Sequence, residues 1–262
     1  MRHYSSVQEM VGTLTIDGQS IALEGYNHLI PFAFAHEMIR AKRSGIHLLR
    51  LSADIVSDQL IGSGVVNRLT TGWQGNPIGG ALARLNDARE NKWPGDVHFD
   101  DLSHPSMVAA YTAGAARVPF AFVSDLPLAG THAARLKTIR DPFSGNEYHV
   151  ISPLNPDLAV LHAQRADHKG NVQIEGICGA AKEVVYASKI VAITVEEFVE
   201  SLPPRHHSLI IPHQLVDAIA VAEKGAAPSY ALDMYERDAG AYAAWPAISA
   251  GRESFLKWVA EL

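Results

Sequence analysis

At 262 residues the chain is long enough for a large core; 47% of its residues are hydrophobic, 19% are charged, and the formal net charge is −6. With 22 basic against 28 acidic residues and no basic stripe, nucleic acid is not an expected partner, and no uninterrupted apolar run approaches the roughly 18 residues of a membrane span. The single cysteine, Cys178, excludes an internal disulfide and fits a reducing compartment; with no apolar signal-peptide core near Met1, a cytoplasmic location is expected.

In chain order, Val7–Leu14 reads as a short helix and Ser20–Leu23 as a strand closed by Glu24-Gly25. Pro31 suits the first turn of a helix running to about Ser44, since a proline there loses no needed N–H. Gly45 stops it, and Ile46–Leu51 is a buried strand. Asp58–Ile61 reads as a helical turn, Val65–Thr71 as a strand, Trp73–Gly80 as a Gly- and Pro-rich loop and Leu82–Asn91 as an amphipathic helix. After a short strand at Val97–Phe99, Ser103 caps a helix to Arg117 with Pro105 in its first turn, and Pro119–Val123 is a strand. Residues 124–149 carry few periodic apolar positions and read as a long surface excursion, with a hairpin around Ser144-Gly145-Asn146.

From Leu158 the alternation resumes. An apolar run to Ala163, the polar turn Asp167–Asn171 with a residue at positive φ, and a short strand at Val172–Ile174 ended by Gly176 follow one another. Ala180–Ser188 is a helix, Ile190–Val195, Leu209–Ile211 and Val216–Val221 are strands, and Tyr235–Ala244 and Glu253–Ala260 are closing helices. Strands alternating with helices imply an α/β fold: an open, mostly parallel sheet with helices on both faces. No repeat or linker interrupts it, so residues 1–262 read as a single domain.

In such sheets ligands bind beyond the carboxyl ends of the strands, which selects three loops. The first is Glu24, Gly25, Tyr26, Asn27 and His28, whose bland alternative is a plain β–α turn. In the second, Trp73, Gly75 and Asn76 lie where glycines admit a ligand and Trp73 meets an acyl chain or adenine; the alternative is a surface turn with a packed Trp. The third is Asp101, Ser103 and His104. A helix start there offers free N–H groups to a thioester oxygen, carboxylate or phosphate, and His104 beside acidic residues suits acid–base work. The alternative is an N-cap serine with solvated neighbours. Glu196-Glu197 follows a strand and either faces the site or caps the next turn. Gly62-Ser63-Gly64 lacks a phosphate-loop pattern. His206-His207 and His213 read as surface histidines, no metal motif occurs, and the Gly-x-Ser-x-Gly elbow of a hydrolase is absent.

Several segments together resemble a known family. They are Asn155-Pro156-Asp157, His162-x-Gln164-Arg165-Ala166-Asp167 and Gly170-Asn171, with Asp17-Gly18 before the Glu24-Gly25-Tyr26 turn. Asp101, Ser103, His104, Gly114-Ala115-Ala116 and Pro119-Phe120 add to them, as do Asp141–Gly145, Gly225–Tyr230 and Tyr235–Asp238. The pattern resembles the α chain of family I coenzyme A transferases, of the glutaconate CoA-transferase type. The first turn departs from the family's Gly-Gly-Phe, a later glycine is replaced, and Pro31 stands one place early.

The resemblance implies the open α/β fold shared with some sugar-phosphate isomerases, an acyl-CoA thioester as substrate, and no bound cofactor or metal. It also implies a partner, the β subunit, in a heterodimer or α2β2 heterotetramer, carrying the nucleophilic glutamate in a Ser-Glu-Asn-Gly-like context. Nothing here reads so, and Glu90-Asn91-Lys92 is expected in mid-helix. The resemblance therefore implies that this chain supplies binding surface and oxyanion stabilisation. A second reading is a relative that hydrolyses a carbon–carbon bond in CoA-linked ring fragments, with Asp101 as base. A third is a non-catalytic ligand-sensing module of the same fold.

Overall fold

The apolar run opening at Leu158 becomes the spine of a ten-stranded sheet. The computed structural model describes residues 1–124 and 135–262. Its first half runs β1 (Arg2–His3), α1 (Val7–Leu14), β2 (Ser20–Leu23), α2 (Phe32–Arg40), β3 (Ile46–Arg50), α3 (Ile55–Gly62) and β4 (Val66–Thr71). Next come α4 (Ala83–Asn91), β5 (His98–Asp101), α5 (His104–Ala116), β6 (Ala121–Val123), β7 (Leu136–Arg140) and β8 (Glu147–Ile151). The second half runs β9 (Leu158–Asp167), β10 (Val172–Glu175), α6 (Ala181–Ala187), β11 (Ile190–Val199), β12 (Ser208–Ile211), β13 (Ala218–Val221), α7 (Ala239–Ala250) and α8 (Arg252–Glu261).

The large sheet has the order β1-β13-β11-β9-β2-β3-β4-β5, all parallel, with β10 and β12 added as antiparallel strands beside β9. Alternate side chains of the central strands enter two different cores, as a period of two requires. Ile21, Leu23, Leu158 and Val160 join the core under α1–α4, α7 and α8, whereas Ala22, Ala159 and Leu161 join the one under α5 and α6. Burial on both faces explains why these strands read as continuous apolar runs. Each fully buried side chain such as Phe34 or Leu48 contributes about 1.5–3 kcal/mol of apolar transfer energy.

Some local expectations change, and the helix expected to run to about Ser44 ends at Arg40. The helical turn at Asp58–Ile61 is the end of a longer helix, α3, because Asp54 caps it by accepting from the Val56 N–H. The helix expected at Tyr235–Ala244 begins instead at Ala239, where Asp238 accepts from the Ala241 N–H. It passes through Pro246 to Ala250, because the Tyr242 carbonyl that the proline leaves without its helical donor accepts from Asn76 Nδ2 at 3.0 Å. Glu90-Asn91-Lys92 is a helix end rather than a middle, with Lys92 at φ 56 as C-cap.

The excursion at 124–149 falls partly on 125–134, outside the described residues. Beyond it, β6, β8 and β7 form a small antiparallel sheet. The expected hairpin is the β7–β8 turn, where Asp141 accepts from the Phe143 and Ser144 N–H groups. The turn after β9 has its positive φ at Gly170.

Candidate active site

Four adjacent parallel strands, β2, β3, β4 and β5, send their exit loops to one cavity of about 440 Å³. Tyr26 and Asn27 follow β2, Ser52 and Asp54 follow β3, Trp73 and Pro77 follow β4, and His104 opens the helix after β5. The volume lies within the usual ligand range of about 300–1,000 Å³. The loops after β3 and β4 keep pairing beyond their strands: Ala53 donates to the Trp73 carbonyl and Gly75 to the Ala53 carbonyl. That fixes Trp73 against the pocket although 44% of it is exposed.

Of the residues selected from sequence, Tyr26, Asn27, Trp73 and His104 line this cavity. His104 Nε2 lies 3.1 Å from Ser52 Oγ, and its ring meets Tyr26 edge-on at 5.6 Å. Ser103 caps α5 by accepting from the Ser106 N–H, which sets His104 at the first helical position.

The other selected residues hold the walls. Gly25 is required because a Cβ there would come within 2.4 Å of the Leu29 carbonyl oxygen; at Gly75 a Cβ would come within 2.5 Å of the Trp73 ring. Asn76 is turned away, bound to the Tyr242 carbonyl and accepting from the Ile78 N–H. His28 is buried, stacked on Tyr230 at 5.1 Å, with Nε2 donating to the Ile177 carbonyl; burial lowers its pKa. Asp101 is occupied by Arg89, at 2.8 and 3.0 Å, and by Gln74.

Behind the pocket lies a charged layer. Glu24 is fully buried and accepts from the Leu51 N–H at 2.9 Å and Tyr111 Oη at 3.1 Å. Burial outweighs these bonds and the nearby Arg50 charge, pushing the carboxyl up to about 7. Arg50, fully buried, donates to the carbonyls of Leu23 and Gly25 and to Asp54 Oδ2. Asp54 Oδ1 accepts from the Val56 N–H, so both oxygens of the one carboxylate lining the cavity among the described residues are engaged.

Sequence reasoning missed Ser52, Asp54, Pro77 and Arg50. The strand-exit rule applied to β3 finds Ser52, and Asp54 before Ile55-Val56 has the form of an N-cap. Arg50 gave no signal, since an arginine at a strand end reads as exposed. Glu196 does not line the cavity and belongs to another network: it accepts from His162 Nε2 at 2.7 Å, from Tyr235 Oη and from the Lys224 N–H. Burial raises its pKa, but the bonds from His162 and Tyr235 outweigh that and hold it below the ordinary value. Among the described residues no group of three or more His, Cys, Asp or Glu side chains is placed to hold a metal ion, and no helix is long and apolar enough to cross a membrane.

Comparison with known proteins identifies the family and the fold. The coenzyme A transferase family model matches residues 4–222. The chain is 41% identical to the A-type subunit of 3-oxoadipate CoA-transferase from Pseudomonas knackmussii, over 100% of this chain and 93% of that one. Its structure superposes on the decarboxylase AibA/AibB with a TM-score of 0.83 at 26% identity, covering 100% of this chain and 98% of the other. On glutaconate coenzyme A-transferase from Acidaminococcus fermentans the TM-score is 0.89 at 22% identity, covering 100% and 88%. The chain belongs to the coenzyme A transferase family.

Proposed function

We propose that this chain is the A-type subunit of a heteromeric CoA-transferase, and that it builds the acyl-CoA pocket while a B-type partner supplies the nucleophilic glutamate. One observation carries the reading: an acyl-sized cavity at the carboxyl ends of four strands, whose single lining carboxylate among the described residues, Asp54, is already bound at both oxygens. The partner glutamate attacks the thioester carbonyl and expels the CoA thiolate, leaving an acyl–glutamyl anhydride. The thiolate then attacks the glutamyl carbonyl, releasing the first carboxylate and leaving a glutamyl–CoA thioester. The second carboxylate reverses both steps, so one hard exchange becomes several easier ones. In this chain, Tyr26 and Trp73 supply apolar walls, and His104, Ser52 and Asn27 supply polar contacts. The relative in Pseudomonas knackmussii makes 3-oxoadipate the first carboxylate to assay.

The Arg89 and Gln74 contacts to Asp101 favour transfer over ring-cleaving hydrolysis, which needs Asp101 free as a base. The test is to incubate the complex of both chains with acyl-CoA and trap with borohydride or hydroxylamine. Mass spectrometry should find the modified glutamate on the partner and none on this chain. Turnover with no trapped adduct, abolished by Asp101→Asn, would support hydrolysis instead. Binding of a sugar phosphate by the lone chain without turnover would support the sensing module.

A further inference from the structure

Asn27 stands at φ 65 on the pocket wall. Its carboxamide offers one acceptor oxygen and two N–H donors. Oδ1 accepts from Arg237 Nη2 at 2.6 Å, and the Asn27 main-chain oxygen accepts from the same nitrogen at 2.7 Å. That carbonyl also accepts from Ser229 Oγ at 3.3 Å. A guanidinium only donates, so Arg237 admits one orientation of the amide, with oxygen toward the guanidinium and nitrogen away. Among the described residues Asn27 Nδ2 has no acceptor, and it is not among the buried unpaired atoms. A solvent-accessible donor is thus left at the cavity.

Arg237 does not line the cavity itself. Its guanidinium lies 5.3 Å from the ring centroids of both Tyr230 and Tyr242, on a strap that follows β13. The strap is anchored away from the pocket. Gly225 and Tyr230 carbonyls accept from the Ala33 and Leu29 N–H groups, both at 2.9 Å, and Lys224 N–H donates to Glu196 at 2.6 Å.

We propose that Arg237 is a positioning residue that fixes Asn27 as a hydrogen-bond donor to a substrate oxygen, either the thioester carbonyl or a carboxylate. The inference rests on the reading of this cavity as the acyl-CoA site.

The experiment uses the complex of both chains, with acyl-CoA and 3-oxoadipate as substrates. In Asn27→Asp one oxygen stays with Arg237 as an ion pair, and the other places negative charge where the donor was. Asn27→Asp should lower kcat/KM about 100-fold with Tm unchanged or raised. Arg237→Met keeps the packing on the two rings but frees the amide, and should cost about 10-fold. Arg237→Lys keeps a cationic donor but not the planar fork stacked on the two rings, and should cost less than Arg237→Met. In an Asn27→Ala background Arg237→Met should cost less than about twofold more, because the two act as one unit.

A rise in KM for acyl-CoA assigns the thioester carbonyl, and a rise in KM for 3-oxoadipate assigns the carboxylate. Asn27→Asp within about threefold of wild type, or additive losses with a lowered Tm, would overturn the inference and leave the transferase reading intact. A complex that binds acyl-CoA without transferring CoA would overturn that reading alone, since calorimetric Kd values of the same variants still report on Asn27. A complex that does neither would overturn both.

Discussion

Glu24 shows how a single residue records the architecture around it. A carboxyl at the end of β2 sits beneath the loop it opens, and burial lifts it to about 7 against an ordinary 4.5. The folded state therefore holds a proton that the unfolded chain releases between those values. The stabilisation is fully present below the unfolded value and is lost as pH rises through about 7. The span is worth about 3 kcal/mol at about 1.4 kcal/mol per pH unit. Glu24→Gln keeps an acceptor for the Leu51 N–H and Tyr111 Oη but does not titrate. Denaturant unfolding from pH 4.5 to 8 should give the variant a flatter profile than wild type, with the gap between the two changing mainly from about pH 5 to 7. Parallel profiles would mean that Glu24 titrates in the folded protein as it does in the unfolded chain. Asp58, lifted by burial to about 6, adds a slope of the same sign that both proteins share, so it cancels in the comparison.

At the scale of elements, the strap between β13 and α7 backs the Asn27–Leu29 segment of the pocket wall through Ser229, Tyr230 and Arg237. Tyr235 Oη donates to Glu196 and accepts from the Ala226 N–H at 3.1 Å, and Ala226 is fully buried. Tyr235→Phe leaves that N–H without a partner, at a cost of about 1–3 kcal/mol, and Tm should fall by about 2–4 °C per kcal/mol. A calorimetric scan that superposes on wild type would show that the network holds nothing. The strap also shows where the sequence is legible. α1, β2 and the capped start of α5 follow from local chemistry, and their limits match the reading because a cap or a glycine fixes each end. α3 reads only as a turn because all eight of its residues are buried, leaving no polar face for a 3.6-residue period to reveal. The pattern of α7 starts too early because Tyr235 and Arg237 look helical in sequence, while their side chains are committed to Glu196 and Asn27. The same limit applies to the site. Tyr26, Asn27, Trp73 and His104 stand directly after strands, so the strand-exit rule reaches them. Asn76 sits in an equally suggestive loop, yet it is engaged by a carbonyl 166 residues away that a proline left open, and no local pattern reports that.

At the scale of the whole molecule, the one carboxylate that lines the pocket among the described residues is already engaged at both oxygens, and this bears on assembly. Among the lining residues Asp54 is tied to Arg50 and to the Val56 N–H; Ser52 faces His104, but no Gly-x-Ser-x-Gly elbow presents it. Glu24 is sealed behind the wall, and Glu196 is bound to His162, Tyr235 and Lys224. In the proposed reaction through an acyl–glutamyl anhydride the attacking carboxylate comes from another chain, held within about 3–3.5 Å of the thioester carbonyl to profit from proximity. Such positioning demands a permanent interface rather than an encounter, and permanent heteromeric interfaces bury upwards of about 2,000 Å². Size-exclusion chromatography with light scattering should show this chain and a co-expressed B-type partner eluting together as a heterodimer or heterotetramer. CoA transfer should appear in that fraction and not with either chain alone. A folded, monodisperse lone chain with full transferase activity would defeat the argument, because its nucleophile would then have to come from this chain.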